Sequence, residues 1–336
     1  MVRASLAYQK VVPGQRIGRY ISPDPSFQDP GDLCDVREET EVEIQNARLA
    51  TEVLSWPTAG FELLQAPTRM QSFEDESEVR KAGRNEIPAV PCNSPWFPYR
   101  SSRSAPKFQT NTGSRKVYYS EVQSLLSEVL EKAGAKVERV MVFDHTIRSS
   151  TASGLNTLGV RGKWAGPATF VHADYNERSA PQRLQQLAQT PGYTGVLLPA
   201  EDVQKVLSSG QRFAFINVWR SIDPLNPAFD YPLSLCDPRS VEEEDWMNYE
   251  MVYPDRVGSR LSLSNRAAAS HKWYYYPEMR IDECLIFSCY DRRPDVPRFV
   301  FHSAFDDPSA RTKIPRQSIE ARTAVIFDEL ALKSTI

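Results

Sequence analysis

The stretch "RFAFINVWRSI", residues 212–222, is dominated by β-branched and aromatic residues and runs into Asp223 and Pro224. Such a run reads as a strand. It opens an array of similar segments: "PLSLCDP" (232–238), "SRLSLSN" (259–265), "HKWYYYP" (271–277), "ECLIFSCYD" (283–291), "RFVFHSAF" (298–305) and "SIEARTAVIF" (318–327). So many strands at short spacing, with few helices between them, argue for a sandwich or barrel of antiparallel strands.

Working outward from that array, the N-terminal half holds one clear helix, "YSEVQSLLSEVLEKAGA" (119–135). Val122, Leu125, Leu126, Val129 and Leu130 recur at helical spacing, Ser120 offers an N-cap and Gly134 a stop. A strand follows in "KVERVMVFDHTIRSS" (136–150), and a second helix is expected over 181–190 with Pro181 in its first turn. "EVEIQNARL" (41–49) and "GFELLQAPT" (60–68) read as strands, while residues 1–40 are expected to wrap over the core as irregular strands and turns. Residues 70–113 form a long polar region whose "PWFPY" (95–99) suggests a cover for the mouth of the core. The expected class is mainly β with flanking helices. Residues 1–113 would form an N-terminal extension with lid-like loops packed on the core, and residues 114–336 the catalytic β-domain, in one structural domain overall.

Composition narrows the function. The 336 residues carry 40 Lys and Arg against 43 Asp and Glu, for a net charge of −3, so no basic stripe points to nucleic acid. No apolar run reaches the roughly 18 residues of a membrane span, and "MVRASLAYQK" lacks the apolar core of a secretion signal. Cys34, Cys92, Cys236, Cys284 and Cys289 form no C-x-x-C pair and are odd in number, which favours a reducing, cytoplasmic setting over a disulfide framework. No G-x-S-x-G, P-loop or G-x-G-x-x-G occurs, which weakens hydrolase, kinase and dinucleotide readings.

Just ahead of the strand array stands "FVHADYNERSAP" (170–181). The chain has four histidines, and here one sits two residues from an acid. Residues i and i+2 of a strand share a face, so His172 and Asp174 aim at one point. They could be a plain hydrogen-bonded pair, or two of three ligands in an open non-haem iron site. A distal histidine must complete that site, and the candidates are His271 and His302. His302 is preferred because an enzyme using 2-oxoglutarate needs an Arg and a hydroxyl for the far carboxylate. The pair Arg316 and Ser318 follows His302 at strand spacing, with Arg322 as a competing anchor on the same parity. Arg148 and Arg220 lie in otherwise apolar strands and would either grip a substrate carboxylate or pair with acids such as Asp144 or Asp237. Asn217 and Trp219 share one strand face and are candidate pocket residues.

The ordered blocks "VHADYNERSAPQR", "INVWR", "PLSLCD", "HKWYYYPEMRIDECLIFSCYD", "FHSAFDDP" and "PRQSIEAR", together with "FDHTIRSS" (143–150), resemble the fungal AsaB-type hydroxylase/desaturase family. That family includes CmcJ and the gibberellin desaturase, and the resemblance covers roughly residues 117–327. It implies a double-stranded β-helix (jelly-roll, cupin-like) core and an Fe(II)/2-oxoglutarate-dependent dioxygenase using O2, with ascorbate as a reductant, in fungal secondary metabolite biosynthesis. It makes His172, Asp174 and His302 the metal-binding, catalytic ligands and Arg316 the co-substrate anchor. Asn176 departs from the family's usual Thr and is expected to alter local hydrogen bonding rather than the metal. The substrate is expected to be a small carboxylate or amino-acid derivative, undergoing hydroxylation, desaturation or ring closure such as aziridine formation. Two rivals stand beside this reading: a catalytically silent jelly-roll accessory protein, and an iron oxygenase that does not use 2-oxoglutarate.

Overall fold

The structure is a computed structural model that describes residues 1–22, 27–70, 73, 117–152, 164–189, 197–254 and 256–331. Its strands are β1 (Val2–Gln9), β2 (Arg16–Tyr20), β3 (Leu33–Cys34), β4 (Arg37–Asn46), β5 (Phe61–Gln65), β6 (Val137–Ser149), β7 (His172–Ala173) and β8 (Gln211–Ser221), followed by β9 (Leu233–Cys236), β10 (Trp246–Val252), β11 (Val257–Leu263), β12 (Trp273–Tyr275), β13 (Glu283–Asp291), β14 (His302–Ala304) and β15 (Gln317–Leu330). The α-helices are α1 (Trp56–Ala59), α2 (Tyr118–Lys132), α3 (Ser179–Gln189) and α4 (Ala200–Ser209).

Two sheets form a jelly-roll. The larger has ten strands in the order β1-β4-β12-β9-β14-β7-β11-β10-β2-β3, and the smaller has five in the order β5-β13-β8-β15-β6. One buried apolar cluster joins them, with Phe215, Trp219, Leu285 and Phe287 from the smaller sheet and Leu235 and Tyr274 from the larger. The other face of the smaller sheet, through Ala214, Ile216 and Val218, packs under α2. With both faces covered, β8 reads as a nearly unbroken apolar run rather than an alternating one.

Helix α2 presses Tyr118, Tyr119, Val122, Leu126 and Leu130 into that second layer. It begins one residue earlier than its sequence suggests because both tyrosines are buried, which places Ser120 inside the first turn instead of at the cap. Gly134, at φ 85°, takes the left-handed conformation that ends the helix. Leu126 is fully buried, so Leu126→Ala should cost about 2–5 kcal/mol. Urea unfolding should show a clearly lower midpoint at an unchanged slope, and an unaltered midpoint would remove α2 from the core.

The first 40 residues are not draped over a finished core. β1 pairs with β4 in an eight-residue antiparallel register from Val2↔Ile44 to Gln9↔Arg37, and β2 joins β10 in parallel. The helix expected at 181–190 starts at Ser179, capped by Asn176, whose Oδ1 accepts from Arg178 N (3.1 Å) and Ser179 N (2.8 Å). Asn176 thus serves local hydrogen bonding, as its departure from Thr suggested. Helix α4 was not anticipated; Gly210 at φ 76° closes it. The lid expectation for residues 70–113 lies, apart from Met70 and Phe73, outside the described residues. Cys34, Cys236, Cys284 and Cys289 are free thiols, and no helix among the described residues is long and apolar enough to cross a membrane.

Candidate metal centre

The strand ladder places two histidines side by side. β14 pairs with β7 at His302↔His172, and His302 also faces Leu235 of β9. Their ring centroids lie 4.3 Å apart. Asp174 stands one residue past the end of β7, and its Oδ1 is 3.5 Å from His172 Nε2. Donor atoms of His172, Asp174 and His302 all lie within 4.8 Å of one another, the only such potential metal-binding group among the described residues.

Both rings are locked in the same tautomer. His172 Nδ1 lies 2.9 Å from the carbonyl of Phe170, and His302 Nδ1 lies 3.0 Å from that of Val300. A carbonyl only accepts, so each Nδ1 carries the proton and each Nε2 presents a lone pair. Burial, reinforced by His302, drives the His172 imidazole down to about 3 and keeps it neutral, the form a metal requires. Burial alone would raise Asp174, but nearby positive charge, that of Arg322 included, holds it well below the usual carboxylate range. The set is therefore two imidazole Nε2 atoms and one anionic oxygen. A 2-His-1-carboxylate set of this kind suits Fe(II) and leaves coordination positions open.

The remaining oxygen of Asp174 is held from behind. Asn217 Nδ2 donates to Asp174 Oδ2 at 2.9 Å, the Cys289 thiol lies 3.6 Å from it, and Arg322 Nε is 3.9 Å away. Asn217, expected among the pocket residues, thus meets the carboxylate of the candidate metal centre. Arg322 also pairs with Glu320 at 2.8 Å and Asp144 at 3.5 Å. Burial acts to lower Arg322, yet those carboxylates raise it overall. Its fork is thus committed to internal acids, which argues against Arg322 as a co-substrate anchor.

Arg316 differs. It is 2 % exposed, has no carboxylate partner among the described residues, and leaves Nε without a hydrogen bond; Ser318 Oγ is likewise buried and unpartnered. Burial, with Arg148 as a second positive charge, lowers Arg316 to about 9. Trp219 lies beneath its guanidinium at 5.7 Å. Two orphaned buried donors, one of them on a cation without an acid partner, fit the far carboxylate of 2-oxoglutarate.

Arg148 faces the same side as Ser318. It is opposite Ser318 in the ladder and donates from Nη1 to the Gly166 carbonyl at 2.7 Å. Arg220 does not. Asn217 and Trp219 point to the inter-sheet side of β8, so Arg220, one residue on, points under α2, where Nη1 donates to the carbonyls of Ala66 (2.6 Å) and Ile281 (2.7 Å). The acids expected to neutralise Arg148 and Arg220 are engaged elsewhere, Asp144 with Arg322 and Asp237 with Arg239. His271 is structural: Nδ1 meets Tyr8 Oη at 3.1 Å and Nε2 meets Asp245 Oδ2 at 3.3 Å. His145 lies far from the cluster and bonds Tyr119 Oη through Nδ1 at 2.9 Å. Sequence reasoning missed Glu320 and Cys289, although Glu320 sits between Ser318 and Arg322 on the strand parity already singled out.

Fold and site together define a jelly-roll protein built around an open two-histidine, one-carboxylate centre. A family model described as an oxidoreductase/YMDC permease-like domain matches residues 96–326, more than half of the chain, and the chain belongs to that family. It is similar to the alpha-ketoglutarate-dependent dioxygenase phiK of a fungal species, at 29% identity over 63% of this chain and 70% of the relative. It also resembles the hydroxylase/desaturase asaB of Aspergillus flavus, at 33% identity over 36% of this chain and 58% of that one. Among solved structures, the iron and alpha-ketoglutarate-dependent endoperoxidase NvfI superposes with a TM-score of 0.66 at 20% identity, over 96% of this chain and 97% of that one. The jelly-roll and the fungal hydroxylase/desaturase resemblance read from the sequence both hold.

Proposed function

We propose that the protein is an Fe(II)- and 2-oxoglutarate-dependent oxygenase of fungal specialised metabolism that activates a C–H bond of a small, carboxylate-bearing or amino-acid-derived substrate. The observation that carries this reading is the convergence of His172, Asp174 and His302 on one point, with the unpartnered Arg316 Nε and Ser318 Oγ in the same interior. A silent binding protein has no need of both features.

The residues divide the work. His172 and His302 offer Nε2 because the carbonyls of Phe170 and Val300 fix their tautomer. Asp174 supplies the negative charge, and Asn217 steers its second oxygen away from the centre. Arg316 and Ser318 hold the far carboxylate of 2-oxoglutarate, with Arg148 adding positive charge there and the buried Trp219 excluding water. Bound at this site, iron with 2-oxoglutarate and O2 supplies the oxidant for an otherwise unreactive C–H bond. The protein orients the substrate and so decides between hydroxylation, desaturation and ring closure.

With Fe(II), 2-oxoglutarate and O2, the protein should release succinate, faster in the presence of the right member of a panel of amino acids and small carboxylic acids. Methyl esters of the active acids should need about 10- to 150-fold higher concentration, the effect of losing one charge-assisted hydrogen bond. Equal acceleration by acid and ester would remove the carboxylate from the substrate class. No succinate under any condition would overturn the oxygenase reading itself.

A further inference from the structure

Two arginines inside this fold are paired with acids: Arg212 meets Asp291 at 2.7 Å, and Arg322 is surrounded by three acids. Arg260 on β11, like Arg220 and Arg316, has no acid. It is 7 % exposed, and its Nε and Nη2 are buried without any hydrogen-bond partner. No carboxylate lies within 4.0 Å of its guanidinium among the described residues.

What Arg260 touches is aromatic. Its guanidinium carbon sits 4.3 Å from the centroid of Phe170 and 4.4 Å from that of Tyr249. Arg37 approaches the Phe170 ring as well, at 4.4 Å. Stacking on rings offsets part of the cost of burying the cation through its faces. The in-plane N–H edges gain nothing from it, and those edges form the fork that matches a carboxylate. Burial and the neighbouring cations Arg19 and Arg37 lower Arg260 to about 10, so it stays charged at neutral pH.

The location is beside the metal centre. Ser262 is opposite His172 in the β11–β7 ladder, and Arg260, two residues before Ser262, shares its face. Phe170, on which Arg260 stacks, has its ring centroid 4.4 Å from that of His172. Arg260 belongs to the larger sheet, whereas Arg316 and Ser318 belong to the smaller sheet and its approach. Cations without an acid partner therefore serve the interior from opposite sheets, Arg316 with Arg148 from one and Arg260 from the other, and 2-oxoglutarate has one far carboxylate to give.

We propose that Arg260 is the substrate anchor, binding the carboxylate of the organic substrate through Nε and Nη2 with Phe170 and Tyr249 walling the adjoining carbon chain. The inference rests on the oxygenase reading above and names the residue that selects for an acid. It replaces Arg220, which faces away from the interior.

The test uses the anaerobic Fe(II)·2-oxoglutarate protein with acetate, isobutyrate and benzoate as probes, and methyl isobutyrate as a neutral control. Binding beside the iron is read as enhanced relaxation of the probe protons. Wild type should relax at least one acid and not the ester. Arg260→Met should weaken that acid by about 10- to 150-fold, leave the 2-oxoglutarate titration unchanged, and melt at the same or higher temperature, because an unpaired buried charge has been removed. The proposal is overturned if no acid binds wild type, if Arg260→Met binds it equally well, if the variant raises the 2-oxoglutarate midpoint, or if its melting temperature falls. A protein that never forms the Fe(II)·2-oxoglutarate complex fails earlier, and that failure counts against the oxygenase reading instead.

Discussion

Replacing His302 with alanine should abolish stoichiometric iron binding, whereas His271→Ala should keep it. His302 presents Nε2 next to His172, with its other nitrogen committed to Val300. Removing it leaves one imidazole and one carboxylate. Loss of a residue that merely supports a ligand costs about 10- to 100-fold in metal affinity, so loss of a ligand should exceed that. His271 has both nitrogens occupied by Tyr8 and Asp245. Its removal takes one hydrogen bond from each of two buried partners, at a cost of about 0.5–1.5 kcal/mol each, and should show as a lower melting temperature with the iron still present. Iron retained by His302→Ala and lost by His271→Ala would contradict the assignment.

The second large effect is expected at Arg316. Arg316→Met should raise the 2-oxoglutarate concentration needed for half-saturation by at least about 10- to 150-fold, since a charge-assisted fork is lost. Fold stability should fall little, because the guanidinium leaves behind no acid, only the Tyr231 carbonyl that it meets through Nη1. Arg322→Met should behave in the opposite way. Glu320, Asp144 and Asp174 would lose their shared cation, so stability and iron affinity should drop while the co-substrate requirement moves little. Titrations of 2-oxoglutarate into both variants, with melting curves beside them, decide between the two arginines. A shifted midpoint in Arg322→Met alone would exchange their roles.

Strand parity made most of the site readable before any coordinates. His172 and Asp174 are two apart, as are Arg316 and Ser318, and the structure turns each pair to one side. The same rule would have removed Arg220: Asn217 and Trp219 are odd-numbered residues of the strand, and Arg220 is even-numbered. The expectation for Arg220 weighed only its apolar neighbours, which line a second core as well as a pocket. Arg260 was hidden by its setting in "SRLSLSN", where the flanking serines suggest a half-exposed strand. Only the stacking of Phe170 and Tyr249 shows that the position is closed to water.

The missed elements have similar causes. "VRASLAYQ" does alternate, with Val2, Ala4 and Leu6 buried, but two of its inward residues are small or followed by polar ones, and the signal is diluted. Its partner β4 buries only Val42 and Ile44 among ten residues. Helix α4 buries Val203 and Val206 alone, too narrow a stripe to stand out against a polar background. In each case long-range pairing supplies stability that no local window contains.

The measurement that bears most directly on the account is an anaerobic titration of the protein with Fe(II) and then 2-oxoglutarate, followed by visible absorption. A weak charge-transfer band should grow to saturation at one iron and one 2-oxoglutarate per chain, be absent in His302→Ala, and require far more 2-oxoglutarate in Arg316→Met. Stoichiometric iron binding with no band at any 2-oxoglutarate concentration, or a band that survives in His302→Ala, would contradict it.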